Sequence, residues 1–153
     1  MENQMQIALV AHDSRKRDLM DWVGYNSEKL MDHQIVATGT TGRMIEGVLL
    51  SKSGADHKEI RVHKLKSGPL GGDQQLGAMI AEGKIDLFIF LWDTMTPQPH
   101  DVDVKALLRI AAMYNIPTAT NRATADFLIS SPLFEGDYKA EKPDFSQYQN
   151  RKL

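Results

Sequence analysis

No cysteine occurs anywhere in the chain. Disulfide staples, thiolate metal sites and a cysteine nucleophile are therefore excluded, and stability has to come from packing. Long hydrophobic runs are missing too. The longest, residues 87–92, is far short of the ~20 apolar residues that a membrane-spanning helix needs. The start of the chain, Met1-Glu2-Asn3-Gln4, has neither the basic opening nor the small-residue cleavage site of a secretory leader, so a cytoplasmic protein with no membrane partner is expected. There is no excess of one charge: 18 Lys and Arg against 20 Asp and Glu give −2. Apart from the local Arg15-Lys16-Arg17 cluster, nothing in that balance would hold a polyanion, and nucleic acid is not an expected partner. No internal repeat divides the chain. One domain over residues 1–153 is expected, with a charged, weakly patterned tail over 131–153.

What is present is an ordinary globular composition, 42% hydrophobic and 25% charged. Short β-rich runs alternate with segments of helical period, which is the pattern of parallel strands joined by crossover helices. Gln6–Ala11 is apolar nearly throughout, as a strand covered on both faces should be. Asp13 or Ser14 is placed to cap a helix reaching toward residue 31, with Leu19, Trp22, Val23 and Leu30 as its buried stripe. A second strand over 34–37 leads through Thr38-Gly39-Thr40-Thr41-Gly42 into a helix carrying Met44, Ile45, Val48 and Leu49, followed by a polar loop over 51–57. A weaker strand over 60–65 precedes a Gly-rich loop and a helix over 74–82 ended by Gly83. The clearest strand spans 85–92, and the segment after it is too rich in proline to be helical. Val104, Leu107, Leu108, Ala111 and Ala112 then mark an amphipathic helix, and a short strand over 118–120 and a helix over 124–130 complete the pattern. The expected fold class is α/β: a doubly wound, mostly parallel, five-stranded sheet with helices on both faces.

In such a sheet ligands bind beyond the carboxyl ends of the strands, and there the unusual residues collect. His12 and Asp13 follow the first strand, the Thr/Gly cluster the second, Ser67 to Asp73 the third, and Asp93 to Asp103 the fourth. Glycines that let a backbone approach, threonine hydroxyls and the free N–H groups of a helix start are what a phosphate needs. The same residues equally describe a turn whose threonines cap their own helix. Ser67-Gly68-Pro69-Leu70-Gly71-Gly72 allows the same two readings, although two such loops on one rim favour the anion. Asp73 stands where an N-cap would stand, and Asp13, Asp93 and Asp103 carry the same ambiguity. His12 and His100 each adjoin an aspartate, a pairing that orients an imidazole but is also common on polar surfaces. No histidine spacing supports a metal site. His33, His57 and His63 fall outside these loops and read as surface or strand residues.

Together, Val10-Ala11-His12-Asp13, Ala37-Thr38-Gly39-Thr40-Thr41-Gly42, Ser67-Gly68-Pro69-Leu70-Gly71-Gly72-Asp73-Gln74-Gln75 and Pro99-His100-Asp101-Val102-Asp103-Val104 resemble the methylglyoxal synthases, in order and from the first strand to about Ser131. The resemblance implies a flavodoxin-like fold and a lyase that converts dihydroxyacetone phosphate to methylglyoxal and inorganic phosphate, in a homohexamer without metal or other cofactor. It implies Asp73 as general base, with His100 and Asp103 beside the substrate. Lys16, Thr38, Gly39, Thr40, Thr41 and Gly68 would contact the phosphate, with His12, Asp13, Ser67 and Asp93 also at the site. A C-terminal arginine that reaches a neighbouring subunit's phosphate matches Arg151 best, next to Lys152. Inhibition by inorganic phosphate is implied as well. A similar domain serves as the effector-binding region of carbamoyl phosphate synthetase, so a binding module without chemistry is the rival reading; Asp73, His100 and Asp103 together argue against it.

Overall fold

A computed structural model describes residues 4–54 and 59–153. Its centre is a five-stranded sheet in the order β3-β2-β1-β4-β5, built from β1 (Gln6–Ala11), β2 (Gln34–Thr38), β3 (Val62–Leu65), β4 (Leu87–Leu91) and β5 (Thr118–Ala119). Every pairing is parallel, with Ile7 opposite Ile35 on one side and opposite Leu87 on the other. The helices are α1 (Lys16–Tyr25), α2 (Ser27–Leu30), α3 (Gly39–Lys52), α4 (Gly72–Ala81), α5 (Asp101–Met113), α6 (Arg122–Ser130), α7 (Pro132–Glu135) and α8 (Ser146–Gln149). None among the described residues is long and apolar enough to cross a membrane.

The two-residue period of a strand sends alternate side chains to opposite faces. Ile7, Leu9 and Ala11 join Leu19, Trp22, Ile45 and Ile129 in one core layer. Ala8 and Val10 join Leu76, Ile80, Phe90, Val104 and Leu107 in the other. The chain runs outward from β1 to β2 and β3 with α1 and α3 on the first face, then returns to β4 and β5 with α4 and α5 on the second. Right-handed crossovers require that arrangement. The doubly wound, flavodoxin-like expectation therefore holds, and the strand order reverses between β1 and β4, the point at whose carboxyl ends such sheets bind their ligands.

Several local expectations are corrected. Neither Asp13 nor Ser14 caps a helix: the chain passes from His12 into a 3-10 turn, Asp13–Arg15, and no side chain accepts the free N–H groups at the helix start. The helix expected to reach residue 31 breaks at Asn26, whose amide turns back to donate to the Trp22 carbonyl at 2.9 Å. α3 continues through Lys52 into what read as a loop, while 55–58, including His57, lie outside the described residues. β3 begins at Val62, two residues later than expected, and α4 begins at Gly72, earlier than expected. Gly71 makes that early start possible, since its φ of 110° is open to glycine and strained for other residues. The tail contains the short helices α7 and α8, which its weak patterning did not announce.

Candidate active site

All four loops named from the sequence meet at the carboxyl ends of the strands. The loop after β1 meets the loop after β4: the Asp93 N–H donates to His12 Nδ1 at 3.0 Å, and Ser14 Oγ donates to Asp93 Oδ2 at 2.9 Å. The first loop also reaches the second, through Lys16 Nζ donating to Thr40 Oγ1 at 2.9 Å while pairing with Asp13 at 2.8 Å. Loops two and three touch at Gly39, where a Cβ would come within 3.2 Å of Ser67, and the Gly39 φ of 56° suits glycine as well. The third loop backs onto the acid and imidazole. A Cβ on Gly68 would lie 3.0 Å from His100 Nε2 and 3.1 Å from both Asp73 carboxylate oxygens.

Asp73 is the centre of this constellation. It sits in the first turn of α4, yet its carboxylate caps nothing, because Gly71 occupies the cap position. The side chain is 3% exposed and lies 3.5 Å from His100 Nε2, an ion-pair distance that is too long for a good hydrogen bond. Oδ2 has no hydrogen-bond partner among the described residues, nor do His100 Nδ1 and His12 Nε2. Buried polar atoms left unpaired at one place are costly and mark where a ligand's own polar groups would be received. Burial raises the Asp73 pKa above the ordinary carboxylate value; His100 opposes the rise and the nearby Asp103 adds to it.

His12 closes one side, with its ring edge-on to Phe90 at 5.1 Å and to His100 at 5.6 Å. Since its Nδ1 accepts the Asp93 N–H, the ring hydrogen of neutral His12 belongs on Nε2. Burial lowers the His12 pKa and His100 lowers it further, while Asp93, Asp101 and Asp13 pull the other way.

In the threonine loop no side chain serves as the cap of the helix that follows. Thr38 is the N-cap of α3 but its side chain makes no capping bond, and Thr38 and Thr41 are buried. Thr40 and Thr41 stand in the first turn, where backbone N–H groups have no intrahelical acceptor. Ser67 likewise heads its 3-10 turn without capping it. A helix start, threonine hydroxyls and Lys16 are thereby brought onto the rim that carries Asp73, and these are the kinds of donor an anion needs.

Two expected residues stand differently. Asp93 has both oxygens engaged, Oδ1 by the N–H groups of Met95 and Thr96 and Oδ2 by Ser14. Those bonds, the one from Ser14 foremost, lower its pKa to about 2, and the residue ties the first and fourth loops together. Arg151 is exposed and folded onto its own tail, its guanidinium 3.6 Å over the Tyr148 ring and donating to the Tyr148 carbonyl at 2.6 Å. Sequence reasoning missed Gln75, whose Oε1 accepts the Lys66 N–H at 2.8 Å and shapes the third loop, and Asp101, whose charge acts on His12. Both lie inside the recognised motifs, but spacing alone does not say where a side chain turns. Among the described residues no three His, Asp or Glu side chains gather in a metal-ligating arrangement.

Residues 18–120 match the protein family described as the MGS-like domain. A methylglyoxal synthase of Maridesulfovibrio salexigens is 57% identical, with 100% of both chains covered. That of Oleidesulfovibrio alaskensis is 54% identical over 99% of this chain and 97% of its own. A crystal structure of methylglyoxal synthase from Elizabethkingia anophelis superposes with a TM-score of 0.86 at 49% identity, covering 99% of this chain and 93% of that one. Agreement in sequence over the full length, and in fold, establishes that the chain belongs to the methylglyoxal synthase family.

Proposed function

We propose that this protein is a phosphate-eliminating lyase that converts dihydroxyacetone phosphate to methylglyoxal and inorganic phosphate, with Asp73 as the general base. The observation that carries the mechanism is the buried, unpaired Asp73 carboxylate held against His100 beside an uncapped threonine-rich helix start. A proton next to a ketone is far less acidic than a carboxylic acid, so its removal needs donors that stabilise the developing enediolate. Asp73 takes the proton from the hydroxymethyl carbon, and the electron pair passes into the enediolate. His100 and His12 are the donors to its oxygens, and Asp103 shapes the field around Asp73. The C–O bond to phosphate then breaks, and the resulting enol takes a proton at its methylene carbon to give methylglyoxal.

Elimination requires that the breaking C–O bond stand out of the enediolate plane. Lys16, Thr38, Gly39, Thr40, Thr41, Ser67 and Gly68 are the groups that would hold the phosphate in that torsion. Asp13 positions Lys16, and Asp93 positions His12 and the fourth loop. Inorganic phosphate, sharing the substrate's anion, is the expected inhibitor. The reading extends to a cytoplasmic homohexamer of single-domain subunits, in which Arg151 swings from Tyr148 to a neighbour's phosphate. Incubating the purified protein with dihydroxyacetone phosphate should release inorganic phosphate together with a dicarbonyl trapped by a diamine. Glyceraldehyde phosphate as sole product would mean an isomerase, and binding without turnover would mean a binding module.

A further inference from the structure

At the amino-terminal ends of the strands, away from the loops that carry the chemistry, lies a cavity of about 380 Å³. Its apolar interior is formed by Met5 ahead of β1, Leu87 at the start of β4, Ile116 ahead of β5, Leu128 of α6 and Phe134 of α7. The tail closes its outer side. Phe145 meets Tyr114 edge to face at 5.3 Å, and the Asn115 amide donates to the Glu141 carbonyl at 2.9 Å, pinning that segment across the opening. Size, apolar lining and a few polar groups at one end are the properties of a small-molecule site.

The charges at the mouth select the ligand. Glu82 is paired with Lys84 at 2.8 Å, and Asp86 accepts the Gln6 N–H at 2.8 Å. Lys139 and Lys142 line the same cavity and have no carboxylate partner among the described residues. Two lysines line this apolar chamber, with Lys142 Nζ 3.4 Å from where a Cβ on Gly83 would stand, and they match a molecule with a negative head and a hydrophobic body. Inorganic phosphate offers the head without the body.

We propose that this cavity is a second ligand site, which takes a small amphipathic carboxylate with its aryl or alkyl part inside and its carboxylate on Lys139 and Lys142. The site is independent of the phosphate cradle, since Thr38, Thr40, Asp73 and His100 do not line it. The test is a backbone-amide NMR titration of the full-length protein with 4-phenylbutyrate in the presence of saturating inorganic phosphate. Saturable shifts are expected at Gly83, Asn115, Ile116 and Lys142. A Lys139→Met, Lys142→Met double variant should bind the acid roughly tenfold more weakly and bind the neutral probe 4-phenylbutan-1-ol as the unsubstituted protein does. Equal affinity of the unsubstituted protein for acid and alcohol, no saturable shift at those residues, or shifts confined to the Thr38 to Thr41 loop would each overturn the proposal.

Discussion

Asp73 shows how a site imposes a cost on its fold. Its carboxylate is buried with one oxygen unpaired, and burial raises its pKa, so the folded state holds the proton more tightly than the unfolded state does. The ionised form is the unfavourable one in the fold: the destabilisation is complete above the raised folded pKa and disappears as pH falls below the ordinary 3.8. Asp73→Asn should accordingly be more stable at pH 7 by on the order of 1 kcal/mol, or about 2–4 °C in Tm. Thermal melts at pH 7 and pH 3 check this, because the gain should be absent at the lower pH. Gly68 is the matching steric case. Gly68→Ala places a methyl 3.0 Å from His100 Nε2 and against Asp73, and should lower kcat roughly ten- to hundredfold by displacing them while the melt changes little. At this scale the sequence placed His12, Asp73 and His100 in the loops that follow strands, and only the family resemblance assigned them roles. It could not show that Asp93 turns both oxygens away to Ser14 and the Met95 and Thr96 N–H groups, since that depends on rotamer and not on spacing.

Elements were legible to the extent that their side chains follow one period. β1 and β4 are covered on both faces, so their apolar runs stood out, and α5 shows Val104, Leu107 and Ala111 buried at helical spacing. Boundaries set by one polar side chain were not legible. The Asn26 amide ends α1 by bonding back to Trp22, and Asn121 starts α6 earlier than expected by accepting the Thr124 N–H at 2.9 Å. Asn121→Ala removes that cap and should cost about 1 kcal/mol. Urea unfolding should show a lower midpoint with an unchanged m-value, and kcat should stay as it was. The short helices of the tail pack few residues, with Phe134 the buried one in α7 and none in α8, which is why no hydrophobic period marked them.

Across the whole molecule, two buried histidines at opposite ends of the sheet make stability depend on pH. His33 Nδ1 accepts the Met5 N–H at 3.0 Å, and its ring lies edge-on to Phe134 at 5.1 Å. Burial lowers its pKa; Arg61 adds to that, and Asp32 and Asp86 oppose it. His12 is lowered in the same direction. A folded pKa below the unfolded value means that the unfolded chain takes up the proton first. Stability is therefore full above about 6.5 and is lost as pH falls from there toward the lowered folded values. Urea midpoints between pH 7.5 and 5 should decline, and the decline should be shallower in His33→Gln. An undiminished slope in that variant would remove His33 from the explanation.

The parallel sheet brings residues from four separate loops onto one rim, and the claim that depends most on that convergence is the role of Asp73. It is tested most directly by measuring inorganic phosphate and diamine-trapped dicarbonyl released from dihydroxyacetone phosphate by the unsubstituted protein and by Asp73→Asn side by side. The expected result is turnover by the first, a kcat roughly 10²- to 10⁴-fold lower in the second, and inorganic phosphate still bound by both. Equal turnover by the two proteins would contradict the assignment of Asp73 as the base.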